Sequence, residues 1–74
     1  KQIELLSRYR TLTKKECEVF ECVTQGVKNK EMANNLCISM PTVEAHRSRV
    51  MKKMQTKSIA ELVRASVLID QFES

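Results

Sequence analysis

A single glycine and a single proline stand among 74 residues. So few turn-formers cannot support a series of hairpins, and an all-helical fold is expected. The three cysteines, Cys17, Cys22 and Cys37, form an odd set with no C-x-x-C spacing and no second cluster, which argues against both a disulfide framework and a zinc knuckle. Reduced thiols fit a cytosol, and a bacterial cytoplasm is the expected location. No apolar run approaches the roughly eighteen residues that a bilayer requires, and no charged, apolar and small-residue leader opens the chain. There is no Gly-rich phosphate loop, no paired nucleophile and base, and no metal-ligand cluster, so neither an enzyme nor a cofactor is expected. The length leaves room for one small core and no second domain. A start on Lys1 rather than Met reads as a domain excised from a longer protein.

Thirteen Lys and Arg against nine Asp and Glu give a net charge of +4 and an isoelectric point near 9.2. This balance favours a polyanionic partner, although charge by itself does not establish one.

Hydrophobic spacing and helix punctuation divide the chain into segments. In Gln2 to Arg10, Leu5 and Tyr9 share one register with Leu12, and Ile3 and Leu6 another, which suits a short N-terminal helix or a linker over residues 1–11. Thr13-Lys14-Lys15-Glu16 is a capping box, with Leu12 and Cys17 at the staple positions. Behind it Val19, Phe20 and Val23 form an apolar stripe, and Gly26 supplies the left-handed residue that ends the helix near Gln25. Asn29 reads as the next N-cap, opening a helix through Leu36 that buries Met32, Ala33 and Leu36. The small Ala33 lets a following helix cross closely. Cys37-Ile38-Ser39 makes a short turn, Ile38 plugs its corner, Ser39 caps the next helix, and Pro41 is tolerated in the first turn, where its missing N–H has no partner to lose.

The helix near residues 40–54 carries the functional expectation. At about 100° per residue, Val43, Val50 and Met54 converge on one side, and Glu44, Ala45, Ser48, Arg49 and Lys52 fall opposite. Short groups allow a backbone to approach base edges while long cations reach sideways to phosphates. An ordinary solvated face has a similar composition; the capped turn and the short helix before it favour a helix-turn-helix that reads DNA. Ser58-Ile59-Ala60-Glu61 is a second capping box and opens a last helix running to about Asp70 or beyond. Ile59, Leu62, Val63 and Ser66 are assigned to its core side. Ala60 and Val67 leave a second apolar edge for a partner, the alternative in so small a domain being that the wide apolar arc is all core.

The ordered set Leu12-Thr13, Glu16, Glu18-Val19, Gly26, Asn29-Lys30-Glu31, Ile38-Ser39, Thr42-Val43, His46-Arg47, Lys57-Ser58 and Glu61-Leu62-Val63-Arg64 resembles the LuxR-type DNA-binding domain. It is most similar to that of FixJ- and NarL-like response regulators. The resemblance implies a four-helix domain over residues 12–74 that binds double-stranded DNA as a homodimer through its last helix, with an upstream receiver domain in the full-length chain and RNA polymerase as a further partner. It places bases against Glu44, Ala45 and Ser48, and phosphates against Lys30, Ser39, Thr42, His46, Arg49 and Lys53. Lys52 joins the phosphate set from its position on the cationic edge. Arg47 is carried with the base readers, with a span to an acidic side chain or to the upstream strand of DNA as the alternatives. Many relatives have a cation where this chain has Glu44. A carboxylate there can accept from cytosine N4, or it can serve only as an anion at a helix N-terminus. His46 is expected to pack and to hydrogen-bond a phosphate, not to hold a metal. The methionines at 32, 40, 51 and 54 are core filler, with Met40 exposed at the helix start. The competing reading is a helical protein-interaction module resembling region four of a sigma factor.

Overall fold

The computed structural model describes residues 2–73, with side chains over 4–72; the register assigned to Ile3 lies outside those side chains. Among the described residues there are five helices and no strand: α1 Gln2–Arg10, α2 Lys14–Thr24, α3 Asn29–Leu36, α4 Met40–Lys53 and α5 Ile59–Glu73. The sequence expectation of four helices with a helix-turn-helix and a short N-terminal helix corresponds to this order.

The start of α2 follows from its capping box. Thr13 Oγ1 accepts from the Glu16 N–H at 3.2 Å, and Glu16 Oε1 accepts from the Thr13 N–H at 2.9 Å, so two donors that a helix start leaves open are satisfied reciprocally. Gly26, at φ 81°, ends the helix as expected. The Val27 N–H reaches the Cys22 carbonyl and the Gly26 N–H that of Val23, the double bond of a Schellman cap.

Helices α3 and α4 end in the same way without glycine. Cys37 sits at φ 58° and Gln55 at φ 55°. The Ile38 N–H reaches back to Ala33 and the Thr56 N–H to Met51. The N-cap of α3 is Lys28, with no side-chain cap bond, in place of the expected Asn29; Asn29 is the first helical residue and its amide oxygen is committed elsewhere. Ser39 caps α4 by accepting from the Thr42 N–H at 3.3 Å. At α5 the Ser58 hydroxyl accepts from the Glu61 N–H, but the Glu61 carboxylate returns to the Lys57 N–H instead of that of Ser58.

The core is built around α4, which packs most extensively on α2 and also on α3, while α5 closes the bundle against α2 and α1. Met32, Val19 and Val43 are fully buried, joined by Val50, Met54 and Leu62; sequestering side chains of this size stabilises by about 1.5–3 kcal/mol each. Ala33 is buried where α3 and α4 cross, and Phe20 packs on Tyr9 with ring centroids 5.5 Å apart. Met32 and Met54 are core, Met51 is half-buried and Met40 exposed. Ile59 departs from its core assignment at 46 % exposure. It lies on the Leu62 stripe, but at the first turn of α5 that stripe borders an open groove with Val23, Val27 and Arg47.

Candidate nucleic-acid interface

With Val43, Val50 and Met54 buried against the bundle, α4 turns Glu44, Ala45, Ser48, Arg49 and Lys52 to solvent. This is the face read from the angular pattern. Ser39 Oγ and Thr42 Oγ1 lie 2.8 Å apart at the N-terminus of the same helix, and Lys30 is exposed near the start of α3. Among the described residues Lys30, Arg49 and Lys52 form no ion pair, although the Arg49 charge is felt by the Glu16 carboxylate. His46 is half-buried, and its Nδ1 is buried without a hydrogen-bond partner; any outside contact therefore falls to Nε2.

Two cations assigned to the interface have partners inside the protein. Lys53 Nζ donates to Glu16 Oε1 at 2.7 Å and to the Thr11 carbonyl at 3.2 Å. Arg47 Nη1 donates to Asn29 Oδ1 at 2.8 Å. The helical wheel explains both, since Lys53 follows Val50 by three residues and Arg47 follows Val43 by four, on the buried flank of α4. That signal was present in the sequence. Their partners, separated by 37 and 18 positions, were not.

Glu16 is the buried charged residue of the core, 2 % exposed. Burial opposes its ionisation, yet the hydrogen bonds from Lys53 and the Thr13 N–H, with the positive charges of Lys53 and Arg49, outweigh that effect and hold its carboxyl below the usual range. Burial pushes the Cys17 and Cys22 thiols up, and the carboxylates of α2 add to it; neither has the character of a reactive thiolate.

On α5 the two positions assigned to a partner, Ala60 and Val67, are exposed, Val67 by 51 %. Seven residues apart, they share a face. Phe72, 46 % exposed, adds an apolar group that the sequence reading did not single out. Among the described residues no group of His, Cys, Asp and Glu could hold a metal ion, and no helix is long and apolar enough to cross a membrane.

Comparison with known proteins identifies this arrangement. Residues 10–66 match the family described as bacterial regulatory proteins, luxR family. The tetrathionate response regulatory protein TtrR of Salmonella typhimurium is 48 % identical over 61 residues, covering 82 % of this chain and 30 % of that protein. The transcriptional regulatory protein FixJ of Rhizobium meliloti is 42 % identical over 64 residues, covering 86 % and 31 %. The chain thus spans about a third of the length of the curated relatives it matches. Among solved structures, full-length FixJ from B. japonicum superposes with a TM-score of 0.85 at 34 % identity, over 95 % of this chain and 34 % of that one.

Proposed function

The chain belongs to the luxR family of bacterial regulatory proteins, and we propose that it is the sequence-specific DNA-binding output domain of a two-component transcriptional response regulator. The observation that carries this reading is the outward face of α4. Short side chains at Ala45 and Ser48 permit close approach to base edges, and the unpaired Arg49 and Lys52 flank them. A capped three-residue turn supports this face on α3.

In the proposed complex α4 enters the major groove. Glu44, Ala45 and Ser48 meet base edges. Lys30, Arg49 and Lys52 meet phosphates, assisted by the Ser39 and Thr42 hydroxyls and His46 Nε2. Two copies joined through α5 would present two reading helices to half-sites one helical turn apart. Residues 12–74 form the DNA-binding domain, and residues 1–11 lead from a receiver domain, whose phosphorylation raises the local concentration of the dimer surface. RNA polymerase is the downstream partner, and the cytoplasm the location.

The test is fluorescence anisotropy of a labelled random-sequence duplex titrated with the chain over a range of salt. If each protomer neutralises about four phosphates, log K falls against log salt with a slope of roughly −3 to −4 per protomer. Binding that ignores salt, or no binding at low salt, would refute the electrostatic basis of the reading.

A further inference from the structure

We propose that Arg47 is a positioning residue that sets the angle of the reading helix through Asn29, and that it does not read bases. The proposal rests on α4 being the groove helix, and adds what holds that helix in place.

Helices α3 and α4 are joined at one end by the turn at Cys37, Ile38 and Ser39. From that corner α3 runs back eight residues to Asn29, about 12 Å, and α4 runs forward seven residues from Met40 to Arg47, about 10 Å. The bond from Arg47 Nη1 to Asn29 Oδ1, 2.8 Å long and partly buried, closes the third side of this triangle. Met32, Ala33 and Val43 are buried along the two helices between the corner and this bond; the Arg47 bond adds a polar tie at the far end of α3. A rotation of about 10° about the turn would carry Ser48, about 12 Å along α4 from Met40, by roughly 2 Å. A shift of that size stretches a hydrogen bond of about 2.9 Å beyond its working range, so it is enough to break base contacts.

Three observations make Arg47 a poor base reader. On the helical wheel it falls about 40° from Val43 and about 160° from Ala45. It is half-buried while Glu44, Ala45, Ser48, Arg49 and Lys52 are exposed. Its Nη1 is engaged by Asn29, and Asn29 leaves its expected capping role to Lys28, which provides no side-chain cap bond.

The experiment is a double-mutant cycle in DNA affinity, using a duplex that the parent chain has selected from randomised DNA, beside a random duplex. R47A and N29A are each expected to lower affinity for the selected site about tenfold while the random duplex loses less, and the double variant to lose no more than either single. Both variants should select the same bases as the parent. N29D, which keeps an acceptor for the guanidinium, should retain parental affinity, and this arm decides the matter with N29A if R47A fails to fold by circular dichroism. Multiplicative losses, equal losses by N29A and N29D, or a changed base preference in R47A alone would overturn the positioning role. Absence of any DNA binding by the parent would instead overturn the reading on which it rests.

Discussion

Cys37 and Gln55 hold backbone angles that glycine adopts more readily, because a Cβ in the left-handed region crowds the following carbonyl at a cost of roughly 1–2 kcal/mol. Both side chains are exposed, so replacing either removes little packing. Glycine returns part of the relief through its greater freedom in the unfolded chain, about 0.5–1 kcal/mol. Cys37→Gly and Gln55→Gly are therefore expected to stabilise by about 0.5–1 kcal/mol each in urea denaturation, and a loss of stability in either would show that its left-handed geometry is unstrained. Glu44 poses a different question at the same scale. As a base reader it selects, whereas as a helix-terminal anion it does not. Glu44→Ala is expected to relax preference at one base pair of each half-site by roughly 1–3 kcal/mol in a binding-site selection; an unaltered consensus would leave sequence reading to Ala45, Ser48 and DNA shape.

Between elements, the Glu16–Lys53 pair ties the capped start of α2 to the last turn of α4, with Thr11 and Thr13 completing its hydrogen bonds. Breaking a buried pair costs about 3–5 kcal/mol, because it strands a charge. Here the Lys53 side chain is 34 % exposed, so screening by water reduces the expected loss in Lys53→Met to about 1–3 kcal/mol at neutral pH. The folded-state pKa of Glu16 is depressed. Its stabilising contribution is therefore present above the unfolded carboxylate pKa and disappears as pH falls through the folded value. Parent and Lys53→Met chains should accordingly converge in stability on acidification. A stability gap that stays constant down to about pH 3, below the ordinary carboxylate range, would locate the effect of Lys53 in its packing and its bond to Thr11. Because Lys53 anchors α4 in this way, weakened DNA binding by a Lys53 variant is interpretable only beside its stability.

At the scale of the whole molecule, cations that form no ion pair among the described residues border the outward face of α4, and exposed apolar groups mark α5. In the proposed complex the first of these features meets a polyanion and the second meets a second copy. Val67 tests the separation, since it is half exposed and contributes little to the core. Val67→Glu is expected to leave circular dichroism unchanged and to abolish cooperative occupancy of half-sites spaced about ten base pairs apart. Unfolding would assign Val67 to the core, and undiminished cooperativity would place the dimer surface elsewhere.

Local chemistry determined most of the helical framework. Caps at Thr13 and Ser39 and the left-handed Gly26 act within a few residues, so their effects are legible in sequence, as is the division of α4 into a Val43–Val50–Met54 stripe and an exposed face. The left-handed residues at Cys37 and Gln55 escaped this reading because they lack the residue type that marks such positions; there, tertiary packing outweighs local preference. Ile59 shows a related limit, since a helical wheel states which residues share a stripe but not where the neighbouring helix ends. The partners of Arg47 and Lys53 depend on the packed fold. Hydrogen bonds reach about 3 Å whatever the separation along the chain, and positions 18 and 37 residues apart come within that reach only after the helices have packed.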